Sequence, residues 1–395
     1  MPEKFVYADN AATTRVSQSV LDAMLPYFGE EYGNPSSLHS KGREASAALG
    51  DARARIAKLL GAKESEIYFT ASGSEADNWA AKGAAYANRD RGRHIVSTKI
   101  EHHAVLNSLK SLEREGFEVT LVDVDQGGRV SPEAVANAVR EDTVLVSVMT
   151  ANNEVGTIEP IAEISAAVKR KNRKTLVFTG AVQAAGTLML DVGELGVDML
   201  SLSGHKLHAP KGVGALYIRN GIRVSNLIDG GGQERSRRGG TENLPYIMGL
   251  AKALEDAVAG IGENARVAAM RDRLIDGIFD KIPYTRLNGA REQRLPGNVN
   301  ISFDYIEGES LLLWLDMNGI CASTGSACSS ASLEASHVLL ALGVPVESAH
   351  GSLRLSLGRD NTDDDVDYIL RVLPGIVERL RAMSPLYEKV NGSKI

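Results

Sequence analysis

Ser201-Leu202-Ser203-Gly204-His205-Lys206, residues 201–206, follows the apolar residues Val197, Met199 and Leu200 and precedes the glycine-interrupted segment from Lys211 to Gly214. Lysine is almost never fully buried without a partner. A lysine closing a buried strand among small residues is therefore one of two things: an ordinary solvated side chain, or an amine held neutral enough to condense with a carbonyl. The neighbouring segments decide between them.

On either side of this stretch, short apolar runs alternate with amphipathic ones. The strand patterns are Glu66–Thr70, His94–Thr98, Glu118–Val122, Val144–Met149, Leu176–Thr179, Asp198–Leu202 and Gly214–Ile218. Helical patterns lie between most of them: Glu75–Asn88, His103–Arg114, Pro132–Arg140 with Ser131 as its cap, and Ile161–Lys171. Two more helices precede the first strand, Ser17–Phe28 with Ser17 as cap, and Leu38–Leu60 ending at Gly61. Strands separated by helices predict a doubly wound α/β domain around a mainly parallel sheet.

After the helical stretches Leu244–Ile261 and Arg266–Lys281 the order changes. A strand at Asn298–Phe303, a helix at Glu309–Met317, a strand at Ser352–Ser356 and a last helix from Thr362 predict a smaller α/β domain. Asp363, Asp364 and Asp365 suit the start of that last helix, where the macrodipole favours negative charge. The division expected is a large domain over 16–265 and a small one formed by 1–15 and 266–395.

The composition supports a folded two-domain chain. Of 395 residues, 43% are hydrophobic and 24% charged, and the net charge of -6 offers no basic stripe for nucleic acid. No apolar run is long enough to cross a bilayer, and Met1-Pro2-Glu3-Lys4-Phe5 has no leader character, so the expected location is cytoplasmic with no membrane partner. The two cysteines, Cys321 and Cys328, match no zinc-ligand spacing, and a disulfide is not expected. One of them reads as a reactive thiol, or both as small core residues.

In doubly wound sheets, ligands gather at the carboxyl ends of strands, where helix N-termini offer donors to anions. Thr70-Ala71-Ser72-Gly73-Ser74-Glu75 reads as a phosphate cradle or as tight packing. Glu101-His102-His103 offers a base, a stacking ring or a polar helix start. Asn152 and Asn153 before a Val-Gly turn, and Gly180-Ala181-Val182-Gln183, add polar groups at the next two strand ends. Five strand ends in succession thus present small, imidazole, amide or amine groups. Together they describe a pocket with a phosphate end, a flat middle and an amine, which is what pyridoxal phosphate requires.

Two loops shape its mouth. Gly230–Asn243 is glycine-rich and basic, suited to an anion or to a mobile surface. Cys321–Ser330 is a run of small residues with little bulk for a core, which predicts Cys328 on an exposed, flexible loop.

Assembled, these segments resemble the NifS/IscS-type cysteine desulfurases of the fold-type I pyridoxal phosphate enzymes. The motifs that carry the resemblance are Ala8-Asp9-Asn10-Ala11-Ala12-Thr13-Thr14, Tyr32-Gly33-Asn34-Pro35-Ser36, Ser203-Gly204-His205-Lys206 and Ser352-Leu353-Arg354-Leu355-Ser356-Leu357-Gly358, in that order. The longer loop around Cys328 is similar to that of the group serving iron–sulfur assembly.

The resemblance implies that Lys206 holds the cofactor as a Schiff base and shuttles the substrate Cα proton. Gly73, Ser74, Ser203, Gly204 and His205 are implied to bind the phosphate, with Thr241 reaching over from the second subunit of a homodimer. His102 is implied to stack on the ring and handle the thiol proton, and Asn153 and Gln183 to bond the ring substituents. Arg354, helped by Asn34, is implied to clamp the substrate carboxylate. L-cysteine is then converted to L-alanine, leaving a persulfide on Cys328 for a sulfur-acceptor or iron–sulfur scaffold protein. No resident metal is implied, although Cys328 is a conceivable iron–sulfur ligand during transfer.

There is one departure. Where the family carries an aspartate before Ala-Val-Gln, this chain has Gly180. The family's carboxylate pairs with the pyridinium nitrogen and makes the ring an electron sink. Its loss predicts slow turnover, with Gly180→Asp raising alanine release by a large factor. Alternative readings on the same fold are a selenocysteine lyase, or a low-activity scaffold that presents a persulfide.

Overall fold

The computed structural model describes residues 2–324 and 334–391. Among the described residues twelve strands run in chain order as β1 Val6–Tyr7, β2 Ile67–Thr70, β3 His94–Thr98, β4 Glu118–Val122, β5 Thr143–Ser147, β6 Leu176–Gly180, β7 Met199–Ser203, β8 Gly214–Ile218, β9 Thr285–Leu287, β10 Asn298–Phe303, β11 Ile320–Cys321 and β12 Ser352–Ser356. The largest sheet has seven strands in the order β2-β8-β7-β6-β5-β3-β4. β3 to β7 pair in parallel, while β8 runs antiparallel to both β7 and β2.

Both faces of this sheet are buried, which explains why its strands read as continuous apolar runs. In β2, Ile67 and Phe69 enter one core and Tyr68 the other; in β7, Leu200 and Leu202 oppose Met199 in the same way. Early in the chain lie helices α1 (Gln18–Met24), α2 (Ser40–Leu59), α3 (Gly73–Asn88), α4 (His103–Arg114), α5 (Pro132–Ala138) and α6 (Ile161–Lys171). α3 packs on the sheet through Ala76, Trp79, Ala80 and Ala84, all fully buried. Its alanine stripe lets the helix approach the strands closely.

A second apolar core is assembled from Val6 and Ala8 together with residues from Val267 to Leu380. Here β10 pairs antiparallel with β9 and β12, and β1 pairs in parallel with β11. The Asp363–Ala382 helix begins with a capping box in which Thr362 and Asp365 exchange bonds, as its acidic first turn suggested.

Several local expectations are corrected. Ser17 is the N-cap residue of α1 as expected, but its hydroxyl bonds Ser19 rather than a helix N–H, and the helix tightens to a 3₁₀ turn at Leu25–Phe28, where Pro26 enters. The guanidinium groups of the Gly230–Asn243 loop are spent on partners within the chain. Arg235 donates to the Ile67 carbonyl, Arg237 to the Val224 carbonyl, and Arg238 ion-pairs with Glu75 at 2.8 Å. Buried Glu234 joins them, pairing with Arg53 at 2.7 Å and accepting from the Phe69 N–H. The loop therefore covers the outer edge of β2, whose backbone groups need partners.

Cys321 and Ser323 also lie outside any exposed loop. Cys321 is half-buried beside Tyr7 in the β1–β11 pair, and buried Ser323 exchanges backbone bonds with Arg354. Cys328 lies outside the described residues. Among the described residues, no helix is long and apolar enough to cross a membrane.

Candidate active site

A cavity of about 390 Å³ opens at the carboxyl ends of β2, β3, β5, β6 and β7. Gly73, Ser74, His102, Asn153, Gln183, Ser203, His205, Lys206 and Arg354 all line it, so the sequence-derived candidates converge on one space. Three do not. Gly204 is buried behind the wall with its N–H on the Val213 carbonyl, and a side chain there would collide with Val213. Asn34 is exposed, its side-chain oxygen accepts from the Ser36 N–H, and it is not among the residues lining the cavity. Thr241 is exposed on the loop covering β2 and borders a separate hollow of about 220 Å³.

Lys206 sits in the single turn of 3₁₀ helix that follows β7. Its Nζ donates to the carbonyl oxygens of Ala11 and Ala12 at 2.5 and 2.6 Å. Gln183 Nε2 donates to the same Ala11 oxygen at 3.0 Å, and Thr14 bonds back to the His205 carbonyl. The N-terminal segment around residues 9–14 is thus one wall of the cavity, a role that its sequence alone did not reveal because its groups act through backbone oxygens.

At the opposite end, α3 begins. Ser72 caps it by accepting from the Glu75 N–H at 3.0 Å, leaving the first-turn N–H groups of Gly73 and Ser74 facing the cavity without helical acceptors. A Cβ at Gly73 would lie 2.9 Å from the Ser203 Cβ, so only glycine allows the helix end to meet the strand end this closely. Unpaired amides with Ser74, Ser203 and His205 around them make an anion cradle, which fits a phosphate.

His102 stands between the two ends as the N-cap of α4. Its Nδ1 accepts from the Ala104 N–H at 3.1 Å, which places the ring proton on Nε2. Burial, reinforced by His103, Lys206 and His337, lowers its pKa to about 4. His205 is lowered to about 4 as well, by burial and then by Lys206 and Lys211. Both rings are neutral at physiological pH.

Asn152 and Asn153 divide their tasks. Asn152 shapes the turn, its side chain bonding the N–H groups of Glu154 and Val155, while Asn153 reaches the cavity. The Asn153 carbonyl accepts from Arg354 Nη1 at 3.0 Å, and Asp9 takes Arg354 Nη2 at 3.0 Å. The Arg354 side chain is 3% exposed, yet its Nε has no partner among the described residues. A buried guanidinium N–H left unsatisfied in a cavity wall calls for an anionic guest.

Two buried acids in the wall escaped the sequence reading. Glu101 accepts from Thr98 and from the Met149 N–H, and burial pushes its pKa up to about 8. Asp77, on α3, bonds Ser201 Oγ at 2.6 Å, and burial pushes it up to about 7. An aspartate mid-helix gives no sequence signal for a site; only the packing of α3 on the sheet brings it there. Cys321, by contrast, is shielded. Burial, then Asp316 and Asp9, raise its thiol pKa, which leaves it a poor nucleophile.

The chain can be set beside known proteins at this point. The model of the family described as Aminotransferase class-V matches residues 6–369. A relative called cysteine desulfurase IscS, from Methanosarcina thermophila, is 57% identical over 387 residues, covering 98% of this chain and 95% of the relative. Among solved structures, a NifS-like protein superposes with a TM-score of 0.90 at 42% identity, covering 95% of this chain and all of that one. SspA in complex with cysteine gives a TM-score of 0.78 at 35% identity, over 89% of this chain and 98% of that one. The chain belongs to the class-V aminotransferase family, within its NifS/IscS-type, pyridoxal-phosphate-dependent cysteine desulfurases.

Proposed function

We propose that this chain removes sulfur from L-cysteine with Lys206 as the central amine and Cys328 as the sulfur acceptor, releasing L-alanine. The observation that carries this assignment is the cavity in which Lys206, the Gly73–Ser74 anion cradle and the unsatisfied Arg354 Nε face one another. Bound pyridoxal phosphate supplies the electron-accepting ring that makes the substrate Cα proton removable. Gly73, Ser74, Ser203 and His205 would hold its phosphate, His102 would pack against its ring, and Asn153 and Gln183 would address the ring substituents.

Arg354 receives the substrate carboxylate on Nε, while Asp9 and the Asn153 carbonyl keep the guanidinium in place. Lys206 Nζ moves the Cα proton. His102, neutral with its proton on Nε2, exchanges a proton with the substrate thiol. The Cys328 thiolate then attacks that sulfur. The substrate C–S bond breaks, an S–S bond forms, and the former Cβ gains hydrogen, so cysteine plus thiol becomes alanine plus persulfide with no external oxidant.

The same reading extends to organisation. Residues 16–265 form the cofactor-holding domain, with an apolar core on each face of its sheet, and 1–15 with 266–395 the smaller one, with a core built from both chain ends; a further cluster joins Ile100 and Met149 to Val338 and Leu339 across the two. Thr241, exposed and not among the residues that line this chain's own cavity, serves the cavity of a second copy in a homodimer. A persulfide-forming thiol requires a reducing compartment, which suits the cytoplasm, and the sulfur passes to an acceptor protein of iron–sulfur assembly. Incubating the reconstituted enzyme with L-cysteine tests the assignment: alanine appears together with sulfur bound to Cys328, and loss of either product on Cys328→Ser identifies the acceptor.

A further inference from the structure

Gly180 ends β6 on the cavity wall, at the position where the family's carboxylate addresses the ring nitrogen. Beyond its chain neighbours, a Cβ built on Gly180 would have two described atoms within 4 Å, Ser201 Oγ at 3.7 Å and Asp77 Oδ1 at 3.8 Å. The direction in which an aspartate would project is therefore already faced by a carboxyl group, contributed from α3 instead of from β6. We propose that Asp77, facing the space that Gly180 leaves open, is the acidic partner of the cofactor's ring nitrogen in this chain. The inference rests on the cofactor placement argued above.

Three observations support it. First, Gly73 and Asp77 are four residues apart on α3, so they share a face and lie about 6 Å apart along the helix axis. The cradle and the carboxyl thus belong to one rigid element running along the cavity. Second, Ser201 Oγ is the side-chain group that bonds Asp77, and Ser201 is the β7 residue paired with Gly180. That bond holds the carboxyl toward the end of β6 and leaves it further acceptor capacity. Third, Glu101 is the other buried acid of the wall, but one oxygen is engaged by two donors, Thr98 Oγ1 and the Met149 N–H. It is also absent from the atoms nearest the Gly180 position.

The electrostatics agree with the geometry. Asp77 is desolvated, and its pKa is pushed up to about 7, so it is poised to share one proton with a pyridine nitrogen. An adjacent ring cation would stabilise its ionised form. Nothing but that proton moves between Asp77 and the ring. The slow turnover expected from Gly180 alone does not then follow, because the carboxylate has been relocated rather than lost.

The test is the ¹⁵N resonance of holoenzyme loaded with ring-¹⁵N pyridoxal phosphate, compared across unsubstituted protein, Asp77→Asn, Gly180→Asp and the double variant. The visible absorption band reports loading separately, so failure to bind cofactor, which would overturn the underlying reading, is distinguishable from failure of this assignment. The unsubstituted protein is expected to show a protonated ring nitrogen, and Asp77→Asn an unprotonated one. The double variant is expected to restore the first signal. Loss of the charged partner is also expected to raise the cofactor's Kd about tenfold. Gly180→Asp alone leaves the resonance of the protonated ring in place. An unprotonated ring in the unsubstituted protein, converted to the protonated form by Gly180→Asp alone, overturns the proposal without recourse to any Asp77 variant. So does a signal unmoved by Asp77→Asn.

Discussion

Asp9 and Arg354 meet at 3.0 Å, joining the segment after β1 to the middle of β12 across the mouth of the cavity. Arg354 is almost fully buried and Asp9 half-buried, and the pair together with the Asn153 carbonyl engages both terminal guanidinium nitrogens. These bonds leave Nε and the second N–H of each Nη as further donors. Replacing Arg354 by lysine keeps the charge but removes the fork. Steady-state kinetics on Arg354→Lys should therefore show kcat/KM for L-cysteine lowered about 100-fold, with KM carrying most of the loss. An unchanged KM would mean that the substrate carboxylate binds elsewhere.

The neutral His102 ring leads to a pH prediction. With its pKa lowered to about 4 by burial and the nearby cations, the ring stays unprotonated as acid is added until well below the ordinary histidine range. An NMR titration of the cofactor-free chain should find no His102 transition between roughly pH 5 and 8. His102→Gln should reduce kcat by about 10² or more, as loss of a proton carrier does. A ring titrating near its ordinary value would contradict the acceptor role that Ala104 assigns to Nδ1.

The two cysteines should separate cleanly. Cys321 is half-buried, paired in β11 and held above the ordinary thiol range by burial and by Asp316 and Asp9. Cys321→Ser is expected to leave alanine release within about twofold. Cys328→Ser should abolish sustained turnover while leaving the cofactor's absorption intact. Mass spectrometry of cysteine-treated protein, searching for one added sulfur atom on each thiol, checks both statements at once.

Buried acids should make the fold sensitive to base. Glu159 is pushed up to about 8 by burial first, opposed by its bond from the Val130 N–H and assisted by Glu101; its Oε1 has no partner. In the unfolded chain this carboxyl ionises near its ordinary value, so the folded state holds the extra proton between the two pKa values. Stability contributed by the group is then lost as pH rises through about 8. Glu101, Glu154 and Asp77 act with the same sign. His102 and His205, both lowered, act oppositely below the ordinary histidine range. Melting curves of Glu159→Gln should lose roughly 2 °C less than the unsubstituted chain between neutral and alkaline pH. Parallel curves would show that Glu159 is not protonated in the fold.

Much of this was legible in the primary structure. Periodicity located the seven strands of the main sheet because each is short, and all but the edge strand β4 are buried along nearly their whole length. The strand-end rule then brought Gly73, His102, Asn153, Gln183 and Lys206 together from five separate segments. The short elements were missed: β1, β9 and β11 have three residues or fewer and no alternation to read. Asp77 was invisible because an aspartate one turn past a helix start resembles any solvated residue, and only burial beside Ser201 distinguishes it. The Gly230–Asn243 arginines were misjudged since their partners, the Ile67 and Val224 carbonyls and Glu75, depend on the loop folding over β2.

The assignment is tested most directly by a single-turnover measurement on the reconstituted enzyme, with limiting L-cysteine and both products counted. One alanine should appear for each sulfur atom gained by Cys328, and Lys206→Ala should yield neither, its rate falling by about 10³ or more. Alanine without sulfur on Cys328, or undiminished alanine from Lys206→Ala, would contradict the account.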